Sequence, residues 1–534
     1  MKITPVLKTT SLLLTTAALT LGLTACGNNE NVAQNKTTTT QMDTLKFGVT
    51  NFADSLETTD NYFAWVVMRY GLGECLVRFD KQMNPTSWLA KDWKVSEDKK
   101  TWTFNIDPRA VFSNGDKVTP EIVKASLERT FDKSTKAKTF FTASKIIANK
   151  DNSISITTDK PSPIIPGMLA DPLFIIINTN VTDRDYAKEG AICTGPYMVK
   201  SYSKEKAVMV KNPNYWNGEA NFNTIEIPTI DDPNTRAMAL QANEVDMIIN
   251  VAPGDLPIFK ENSKDFTVSE IASLRTVLAQ MNQNKGKILA DKKVRSALIS
   301  CLDRKAYNQA LLKGTFITGK APVPPSLNYG FDQLKDENSY NVERAKKLLA
   351  EAGWKDTNND GILDKDGKDL ALDFVYYSGR AELPLYAEAT QANAKDVGIK
   401  INLENVDYNV LDGMREKGDF DLIISNIITA NTGDPEIYLN WYWKTNINGS
   451  NPQNGTGYSN FEFDQISDSL KSEFDPAKRR EDIIKMQQII LDDSAAIFFG
   501  YPKTNMAFNN KVSGAEILPA DYYWVTKNIK PAKQ

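Results

Sequence analysis

The stretch 89–116 constrains the fold more than any other part of the sequence, because it predicts two strands joined by a tight turn. Apolar Trp93 and Val95 alternate with polar neighbours, and the residues of 101–106 alternate in the same way. A period of two is the pattern of strands with one buried face. The polar segment 97–100 between the two runs therefore predicts the turn of a hairpin.

The chain reverses again directly after this hairpin and then enters a helix. Residues 113–116 read Ser-Asn-Gly-Asp, which is a turn sequence, and Thr119-Pro120-Glu121 follows. Threonine caps helices, proline is tolerated in the first turn, and an acid there faces the positive end of the helix dipole. The sequence therefore predicts a helix that begins at Pro120.

The length and composition are those of a soluble protein with several packed units. A chain of 534 residues is too long for one ordinary domain, so we expect two or three units. Its 41 % hydrophobic and 24 % charged residues are ordinary for a globular protein. A net charge of −4, without a basic region, gives no reason to expect a nucleic-acid partner.

Residues 1–25 predict a signal peptide rather than a part of the fold. Lys2 and Lys8 provide positive charge, and the apolar run 12–23 is too short to span a bilayer. The tetrad Leu-Thr-Ala-Cys that ends at Cys26 resembles the bacterial lipobox, which implies cleavage after residue 25 and lipidation of Cys26. An ordinary secretory peptide that contains a cysteine is the alternative.

The segment after the signal peptide predicts a tether. Residues 26–43 are mostly Asn, Gln and Thr, with almost nothing to bury, so we expect them to be disordered. With Cys26 acylated, this tether would hold an extracytoplasmic protein to a bacterial membrane by its lipid anchor.

The composition argues against an enzyme. The sequence contains no histidine, which removes His-based triads, His-ligated zinc and most general acid–base schemes at neutral pH. It also contains no Gly-x-Ser-x-Gly elbow, P-loop or Rossmann fingerprint. Catalysis by paired carboxylates stays open, but the scattered acids are typical of a solvated surface. We therefore expect no catalytic residues and no cofactor.

The cysteines do not form a disulfide framework. Apart from Cys26, the chain has Cys75, Cys193 and Cys301, an odd number of widely separated residues. One bridge could form, but we expect buried thiols that act as small apolar side chains.

Three further segments have clear local patterns. Residues 60–70 predict a helix capped by Asp60, residues 172–178 predict a buried strand, and residues 291–312 predict one amphipathic helix.

Four motifs in and around the hairpin occur in one fixed order: Trp88-Leu89-Ala90, Ser96-Glu97-Asp98, Thr101-Trp102-Thr103-Phe104 and Phe112-Ser113-Asn114-Gly115-Asp116. Each motif alone is weak, but together they resemble the signature region of the extracytoplasmic solute-binding proteins of the peptide/nickel family of ABC importers, family 5. Residues 192–197 and 212–216 resemble further hallmarks of that family, with Cys193 where glycine is usual. The resemblance covers nearly all of the chain after the predicted tether.

The resemblance implies an α/β protein with the two-lobe, periplasmic-binding-protein-like fold of type II. Residues 44–273 would form the first lobe, with an inserted subdomain at about 83–194. Residues 274–496 would form the second lobe, and 497–534 would return to the first. Such a protein is expected to be a monomer that closes on a small-molecule or peptide ligand and delivers it to a membrane permease. The alternation of strands and helices between 341 and 425 is itself typical of an open sheet.

Several aromatic residues near loops, strand ends and helix starts are candidates for lining a binding cleft: Tyr62, Trp65, Tyr376, Tyr377 and Trp441. Core packing is the alternative for each of them. As a group, we expect some of them to contact a ligand.

Two arginines are candidates for binding a ligand carboxylate. Arg380 follows a predicted strand, and open α/β folds bind ligands beyond the carboxyl ends of their strands. Its planar guanidinium could hold both oxygens of a carboxylate, whereas an ion pair with Glu382 is the alternative. Arg69, in the predicted first helix, is the second candidate.

The resemblance also assigns a role to the turn 431–435. Peptide binders of the family carry an aspartate a few residues before a Gly-Asp-Pro turn, and this aspartate pairs with the ammonium group of the peptide. Here Asn431 occupies that position. An amide can accept a hydrogen bond but adds no charge, so a free peptide would lose ~1–3 kcal/mol of binding energy.

Three ligand hypotheses therefore stay open. A short peptide is favoured because peptides are the usual cargo in the family. Nickel or another transition metal held in a small chelator is the alternative, with Arg69 and Arg380 binding the carboxylates of the chelator. The third hypothesis is a tethered surface receptor that senses a secreted peptide, or a surface adhesin with the same fold.

One loop resembles a weak calcium site. Asp356, Asn358, Asp360 and Asp364 occupy oxygen-ligand positions of a calcium loop, with glycine at its sixth position. Its twelfth position is Gly367 instead of the bidentate glutamate, so any affinity should be low. A plain hairpin turn is the alternative.

Overall fold

The predicted hairpin and helix are both present in the structure, a computed structural model that describes residues 42–50, 53–60 and 62–533. The predicted signal peptide (1–25), the lipidation site Cys26 and nearly all of the predicted tether (26–43) lie outside the described residues. Within the described part, no helix is both long and apolar enough to cross a bilayer.

The strands are β1 (Thr44–Gly48), β2 (Val77–Phe79), β3 (Pro85–Ser87), β4 (Ala90–Val95), β5 (Thr101–Ile106), β6 (Ala143–Ala148), β7 (Ser153–Thr158), β8 (Tyr197–Tyr202), β9 (Lys206–Lys211), β10 (Thr224–Pro228), β11 (Met247–Ile249), β12 (Phe266–Ala272), β13 (Arg275–Met281), β14 (Phe316–Thr318), β15 (Asp364–Lys365), β16 (Lys368–Asp369), β17 (Ala371–Tyr376), β18 (Lys400–Asn405), β19 (Leu422–Ile428), β20 (Ala496–Asn509), β21 (Val512–Ser513) and β22 (Lys530–Pro531).

The α-helices are α1 (Phe63–Arg69), α2 (Pro120–Lys133), α3 (Thr135–Phe140), α4 (Ile165–Met168), α5 (Tyr186–Glu189), α6 (Pro233–Gln241), α7 (Leu256–Glu261), α8 (Lys292–Ser300), α9 (Arg304–Ala306), α10 (Val342–Glu351), α11 (Glu382–Lys395), α12 (Leu411–Lys417), α13 (Glu436–Trp443), α14 (Phe461–Leu470) and α15 (Pro476–Asp492). Short 3-10 turns cover Pro172–Phe174, Ile288–Ala290 and Tyr408–Val410, and a π-helical turn covers Tyr307–Leu311.

The hairpin of β4 and β5 forms as its alternation predicts. Trp93 lies opposite Phe104, and β5 also pairs with β7, which pairs with β6 to complete a four-stranded antiparallel sheet. The side chain of Thr119 accepts a hydrogen bond from the backbone N–H of Ile122, and Pro120 is the first residue of α2. The turn chemistry of the sequence therefore determines both elements locally.

A long mixed sheet runs through the centre of the described chain in the order β18-β17-β19-β13-β20-β11-β1-β10-β9-β8. Strands β12 and β14 also pair with β20. β17 is parallel to both of its neighbours, and β1 is parallel to both of its neighbours, so each half of the sheet has a parallel centre. The fourteen-residue strand β20 is antiparallel to β11 and β13 and joins the two halves.

The side chains of β20 contribute to four apolar cores. Met506 and Phe508 pack with the residues around β1 and α1, whereas Ile497 and Phe499 pack with those around β13, β17 and α11. Phe498 packs against α13 and α15, and Ala507 packs against α6 and α7. One strand therefore couples the burial of apolar surface at both ends of the sheet.

A buried carboxylate explains why two of the hallmark segments lie side by side. Oε2 of Glu74 accepts hydrogen bonds from the Thr194 hydroxyl at 2.9 Å and the Trp216 indole at 2.7 Å, and Oε1 accepts one from the Tyr215 hydroxyl at 3.0 Å. Burial raises the pKa of Glu74 to about 7, although these donors oppose the shift. Cys193, next to Thr194, is a buried thiol, as are Cys75 and Cys301.

Three local predictions are wrong in detail. The first helix begins at Phe63 and has no side-chain cap, so Asp60 does not cap it. The predicted strand 172–178 begins as a 3-10 turn, because Asp171 accepts a hydrogen bond from the Leu173 N–H and Pro172 starts the turn. The predicted helix 291–312 is divided into α8, α9 and a π-helical turn, since Asp303 starts a new helix by accepting from the Ala306 N–H.

Candidate functional site

The described residues surround a cavity of about 1070 Å³ between α1, the carboxyl ends of β17 and β19, and α13. Seven predicted ligand-binding residues line it: Tyr62, Trp65, Arg69, Tyr377, Arg380, Asn431 and Trp441. Tyr376 is not among the lining residues and instead packs against the core around β17. Tyr377 follows the last residue of β17, at the carboxyl end of the strand, and it both packs into this core and lines the cavity.

Arg69 lines the cavity, but its charge is already paired. Its Nη2 lies 2.8 Å from Oδ2 of Asp521, and its Nε donates to the Asp521 carbonyl oxygen at 3.0 Å. The guanidinium also lies 4.4 Å from the ring centroid of Trp524 and 5.5 Å from that of Trp65. The side chain is 8 % exposed. These contacts indicate that Arg69 mainly stabilises the packing of α1 against the C-terminal segment that contains Asp521 and Trp524.

Aromatic rings form a continuous surface on the same wall. The ring centroid of Trp65 lies 5.2 Å from that of Tyr62 and 5.3 Å from that of Tyr522. Tyr62 is half exposed, and the ammonium group of Lys136 lies 3.2 Å from its ring centroid. These rings offer apolar faces to a ligand while their inner edges pack into the core.

Asp171 adds a buried carboxyl to this wall. Its Oδ1 accepts a hydrogen bond from the Leu173 N–H at 3.0 Å, and its Oδ2 lies 3.5 Å from the Tyr522 hydroxyl. Asp171 makes no ion pair with any residue that the structure describes. Burial raises its pKa to about 7. The Asp-Pro pair marks Asp171 as a cap, but the sequence gives no sign that it lines a cavity.

The opposite wall carries two arginines without a carboxylate partner. Nη1 of Arg275, on β13, donates to the backbone oxygen of Asn426 at 3.1 Å and lies 3.4 Å from its side-chain oxygen. Burial and the nearby positive charge of Arg380 lower the pKa of Arg275 to about 10. Neither Arg275 nor Arg380 forms an ion pair within the described chain.

The alternative proposed for Arg380 is not what the structure contains. Instead of pairing with Arg380, the Glu382 carboxylate accepts a hydrogen bond from the side-chain amide of Asn426 at 2.6 Å. Arg380 lies close enough to Tyr377 to oppose the effect of burial, which raises the pKa of that phenol. A smaller cavity of about 290 Å³ adjoins the first and is lined by Arg69, Arg275 and Arg380 as well.

The turn that contains Asn431 is held by an ion pair with Arg479. Asp434 in the turn and Glu436 just after it both pair with Arg479, at 2.9 and 2.7 Å. Asn431 and Asp434 line the cavity, and so does Trp441 on α13, whose side chain is half exposed. The turn therefore contributes to the cavity an uncharged amide and a carboxylate that is already paired with a cation.

Phe140, Asp171, Arg275 and Tyr408 are among the lining residues that sequence reasoning missed. Arg275 reaches the cavity because β13 pairs with β19, which places Arg275 opposite Ile428. Tyr408 lies in a 3-10 turn after β18, and its ring is 65 % exposed. Of these four residues, Tyr408 is the one that follows the carboxyl end of a predicted strand, so a search of all such positions would have found it.

The loop that resembles a calcium site has a different arrangement. Oδ2 of Asp356 accepts from the Gly361 N–H, Oδ1 of Asn358 from the Asp360 N–H, and Oδ1 of Asp360 from the Ile362 N–H. The carboxylate of Asp364 accepts from the backbone and hydroxyl of Thr357. Across the described ranges, no group of three or more Asp, Glu, Cys or His side chains is placed to hold a metal ion. The geometry favours the alternative, a hairpin turn that leads into β15 and β16.

Comparison with known proteins gives one family. The sequence model described as bacterial extracellular solute-binding proteins, family 5, middle region, matches residues 84–450, more than half of the 534 residues.

Two relatives match most of the chain. A probable D,D-dipeptide-binding periplasmic protein of Escherichia coli is 27 % identical over 81 % of this chain and 82 % of its own length. A nickel-binding protein of Staphylococcus aureus is 26 % identical over 86 % of this chain and 89 % of its own length.

Solved structures share the fold over the same extent. The crystal structure of a nickel ABC transporter protein from Bacillus halodurans has a TM-score of 0.81 and 26 % sequence identity, and the match covers 91 % of this chain and 99 % of that one. The similarity therefore includes nearly everything that surrounds the cavity.

Proposed function

The chain belongs to family 5 of the bacterial extracellular solute-binding proteins, and from this we propose that it captures a short peptide and delivers it to the permease of an ABC importer. As a member of this family it is an extracytoplasmic solute-binding protein of the peptide/nickel class with the type II fold, and it is not an enzyme. The family membership leaves the chemical class of the ligand open.

The pair Arg275 and Arg380 is the observation that carries the proposal. Two neighbouring guanidinium groups line one wall of the cavity, and neither is neutralised by a carboxylate of the described chain. Both arginines are partly buried. A partly buried charge without an ion-pair partner carries a desolvation cost, and a guanidinium holds a carboxylate through two parallel hydrogen bonds. A ligand with a terminal carboxylate, such as a peptide, would remove this cost.

The remaining lining suits a peptide as well. A cavity of about 1070 Å³ is at the upper end of the range for small-ligand sites, which leaves room for more than one residue. Trp65, Tyr377 and Trp441 offer ring faces to side chains of varied shape. The E. coli relative named as a probable D,D-dipeptide-binding protein is consistent with this ligand class.

A metal chelate is the second candidate, and Asn431 is the observation that favours it. An amide at this position adds no charge to attract a peptide ammonium group. Because the chain has no histidine, a metal would have to arrive inside a chelator whose carboxylates bind Arg275 and Arg380. The S. aureus relative named as a nickel-binding protein supports this alternative.

We also propose the arrangement of the chain around the ligand. Residues 44–273 and 497–534 would form the first lobe, with the inserted subdomain at about 83–194, and 274–496 the second. The separate cores that meet along β20 support this division. We further propose that the protein is a monomer and that Cys26, at the start of the tether, anchors it to the membrane by a lipid.

The experiment that tests the proposed ligand is native mass spectrometry of protein purified without refolding, followed by calorimetry. We expect a bound mass that fragments as a peptide, and micromolar or tighter binding of alanine peptides of two to five residues. Nickel(II) in complex with L-histidine serves as the competing probe. Binding of that complex without binding of any peptide would replace the proposal by the second candidate.

A further inference from the structure

The carboxyl of Asp171 lines the same cavity as Arg275 and Arg380 and forms no ion pair with a cation of the described residues. We infer that Asp171 binds the ammonium group of the ligand, so that the site is built for a zwitterion with a free amino terminus. This inference rests on the proposed peptide function and makes it more specific. It assigns to Asp171 the charge that the resemblance would place at position 431.

The hydrogen bonds of Asp171 leave one carboxylate oxygen nearly unused. Oδ1 accepts from the Leu173 N–H at 3.0 Å and thereby fixes the side chain at the start of the 3-10 turn. Oδ2 has the Tyr522 hydroxyl at 3.5 Å, which is the outer limit of a hydrogen bond. A carboxylate offers about four acceptor sites, so an incoming ammonium group would find free acceptors at Oδ2.

The burial of Asp171 makes a cationic ligand favourable. The residue is 1 % exposed, and burial raises its pKa to about 7. The hydrogen bonds to Asp171 therefore do not offset the cost of burying its negative charge. A charged hydrogen-bond partner stabilises a buried carboxylate much more than it stabilises a carboxylate in water. Asp171 forms no ion pair with the described residues, so a cationic group of a molecule in the cavity could supply one.

The neighbours of Asp171 are suited to an ammonium group. The buried indole N–H of Trp65 lies close enough to lower the pKa of Asp171 but meets no described acceptor in hydrogen-bonding geometry. The rings of Tyr62, Trp65 and Tyr522 lie next to one another, with centroid separations of 5.2 and 5.3 Å. Aromatic faces attract cations, so these rings would surround the amino terminus with favourable partners.

Tyr62 connects this acid to the opposite wall. Burial is the main reason why the pKa of its hydroxyl is raised; the negative charge of Asp171 raises it further, and the positive charge of Arg275 lowers it. Tyr62, Asp171 and Arg275 all line the same cavity. The carboxylate of Asp171 and the guanidinium groups of Arg275 and Arg380 line one cavity. They could bind the ammonium group and the carboxylate of a short peptide, respectively.

The test uses alanine peptides of two to five residues, each with a free and with an acetylated amino terminus. Asp171→Asn removes the charge but keeps an oxygen that can accept from the Leu173 N–H. For the wild-type protein, we expect calorimetry to show at least tenfold tighter binding of the free peptides. For Asp171→Asn, the free peptides should weaken at least tenfold, while the acetylated peptides stay unchanged, so that the two affinities converge.

Asp475→Asn is the matched control. Asp475 also precedes a proline and accepts a hydrogen bond from the N–H two residues on, but it is exposed and does not line the cavity, so its replacement should leave the discrimination intact. Asp171→Glu keeps the charge and should retain part of the discrimination, which also covers the case that Asp171→Asn does not fold. Thermal unfolding of each variant checks that case.

The outcomes separate this inference from the proposed function. If the wild-type protein binds free and acetylated peptides equally, or if Asp171→Asn still discriminates between them, the inference is overturned and the peptide function stands. If no peptide binds the wild-type protein, the proposed function fails and the inference fails with it.

Discussion

The two walls of the cavity differ in how their charged side chains are satisfied. On the wall of α1, Arg69 pairs with Asp521 at 2.8 Å and lies against two indole rings. On the wall of β13 and β17, Arg275 and Arg380 have no carboxylate partner within the described chain. Position beside a cavity therefore does not identify a ligand-binding arginine. An arginine that already pairs with a carboxylate of the protein stabilises the fold, whereas one without such a partner is available to bind a ligand.

The largest expected effect concerns the paired arginine. Arg69→Met should lower the free energy of unfolding by about 3 kcal/mol, because it leaves Asp521 without its cation and removes the contact with Trp524. Urea unfolding of the ligand-free protein measures this.

Arg275→Met is the matched comparison. It removes a partly buried charge that forms no ion pair within the described chain, so it should leave the stability of the ligand-free protein unchanged or raise it. Equal losses of stability in the Arg69 and Arg275 variants would remove the distinction between the two walls.

A buried acid without a cation provides the second test. Burial raises the pKa of Glu74 from 4.5 to about 7, so the folded protein holds this proton more tightly than the unfolded chain does. The associated stability is fully present below about pH 4.5 and is lost as the pH rises towards 7. Glu74→Gln cannot ionise, and its amide can donate to the Tyr215 hydroxyl while its oxygen still accepts from Thr194 and Trp216.

Glu74→Gln should therefore gain stability relative to the wild-type protein as the pH rises, by up to roughly 3 kcal/mol between pH 4 and 8. The measurement is urea unfolding of both proteins across this range. Parallel stability curves for the wild-type protein and Glu74→Gln would show that Glu74 ionises normally.

The third prediction concerns the unpaired arginines and the ligand. Arg380→Ala and Arg275→Ala should each weaken peptide binding tenfold or more, which is ~1.4 kcal/mol for a charge-assisted contact. Arg380→Ala should not lower the melting temperature, since the guanidinium holds no carboxylate of the described protein. Calorimetry with the alanine peptides measures the affinity. An unchanged affinity in Arg380→Ala would remove this residue from the site.

Local patterns were sufficient for part of this site. The rule that ligands bind beyond the carboxyl ends of parallel strands led to Tyr377 and Arg380, and β17 is parallel to β18 and β19. The hairpin of β4 and β5 and the start of α2 followed from alternation and capping, which act over a few residues.

The rest depends on contacts between distant residues. Arg69 meets Asp521, 452 residues away in the sequence, so its pairing could not be inferred from its neighbours. Arg275 reaches the cavity through its register with β19, and Asp171 is placed by a 3-10 turn where the apolar run predicted a strand. The sequence shows which side chains can bind charged groups, but it does not show which distant residues they contact in the folded protein.

The smallest effect is expected at Asn431, where the two walls meet the turn 431–435. Asn431→Asp adds a negative charge to the cavity without changing the size of the side chain. It should tighten the binding of alanine peptides with a free amino terminus by about 1 kcal/mol, roughly fivefold, and leave acetylated peptides unchanged. If Asp171 already binds the ammonium group, the gain should be larger in Asp171→Asn, where the added carboxylate replaces the missing charge. No gain in either background would mean that the ligand amine does not reach residue 431.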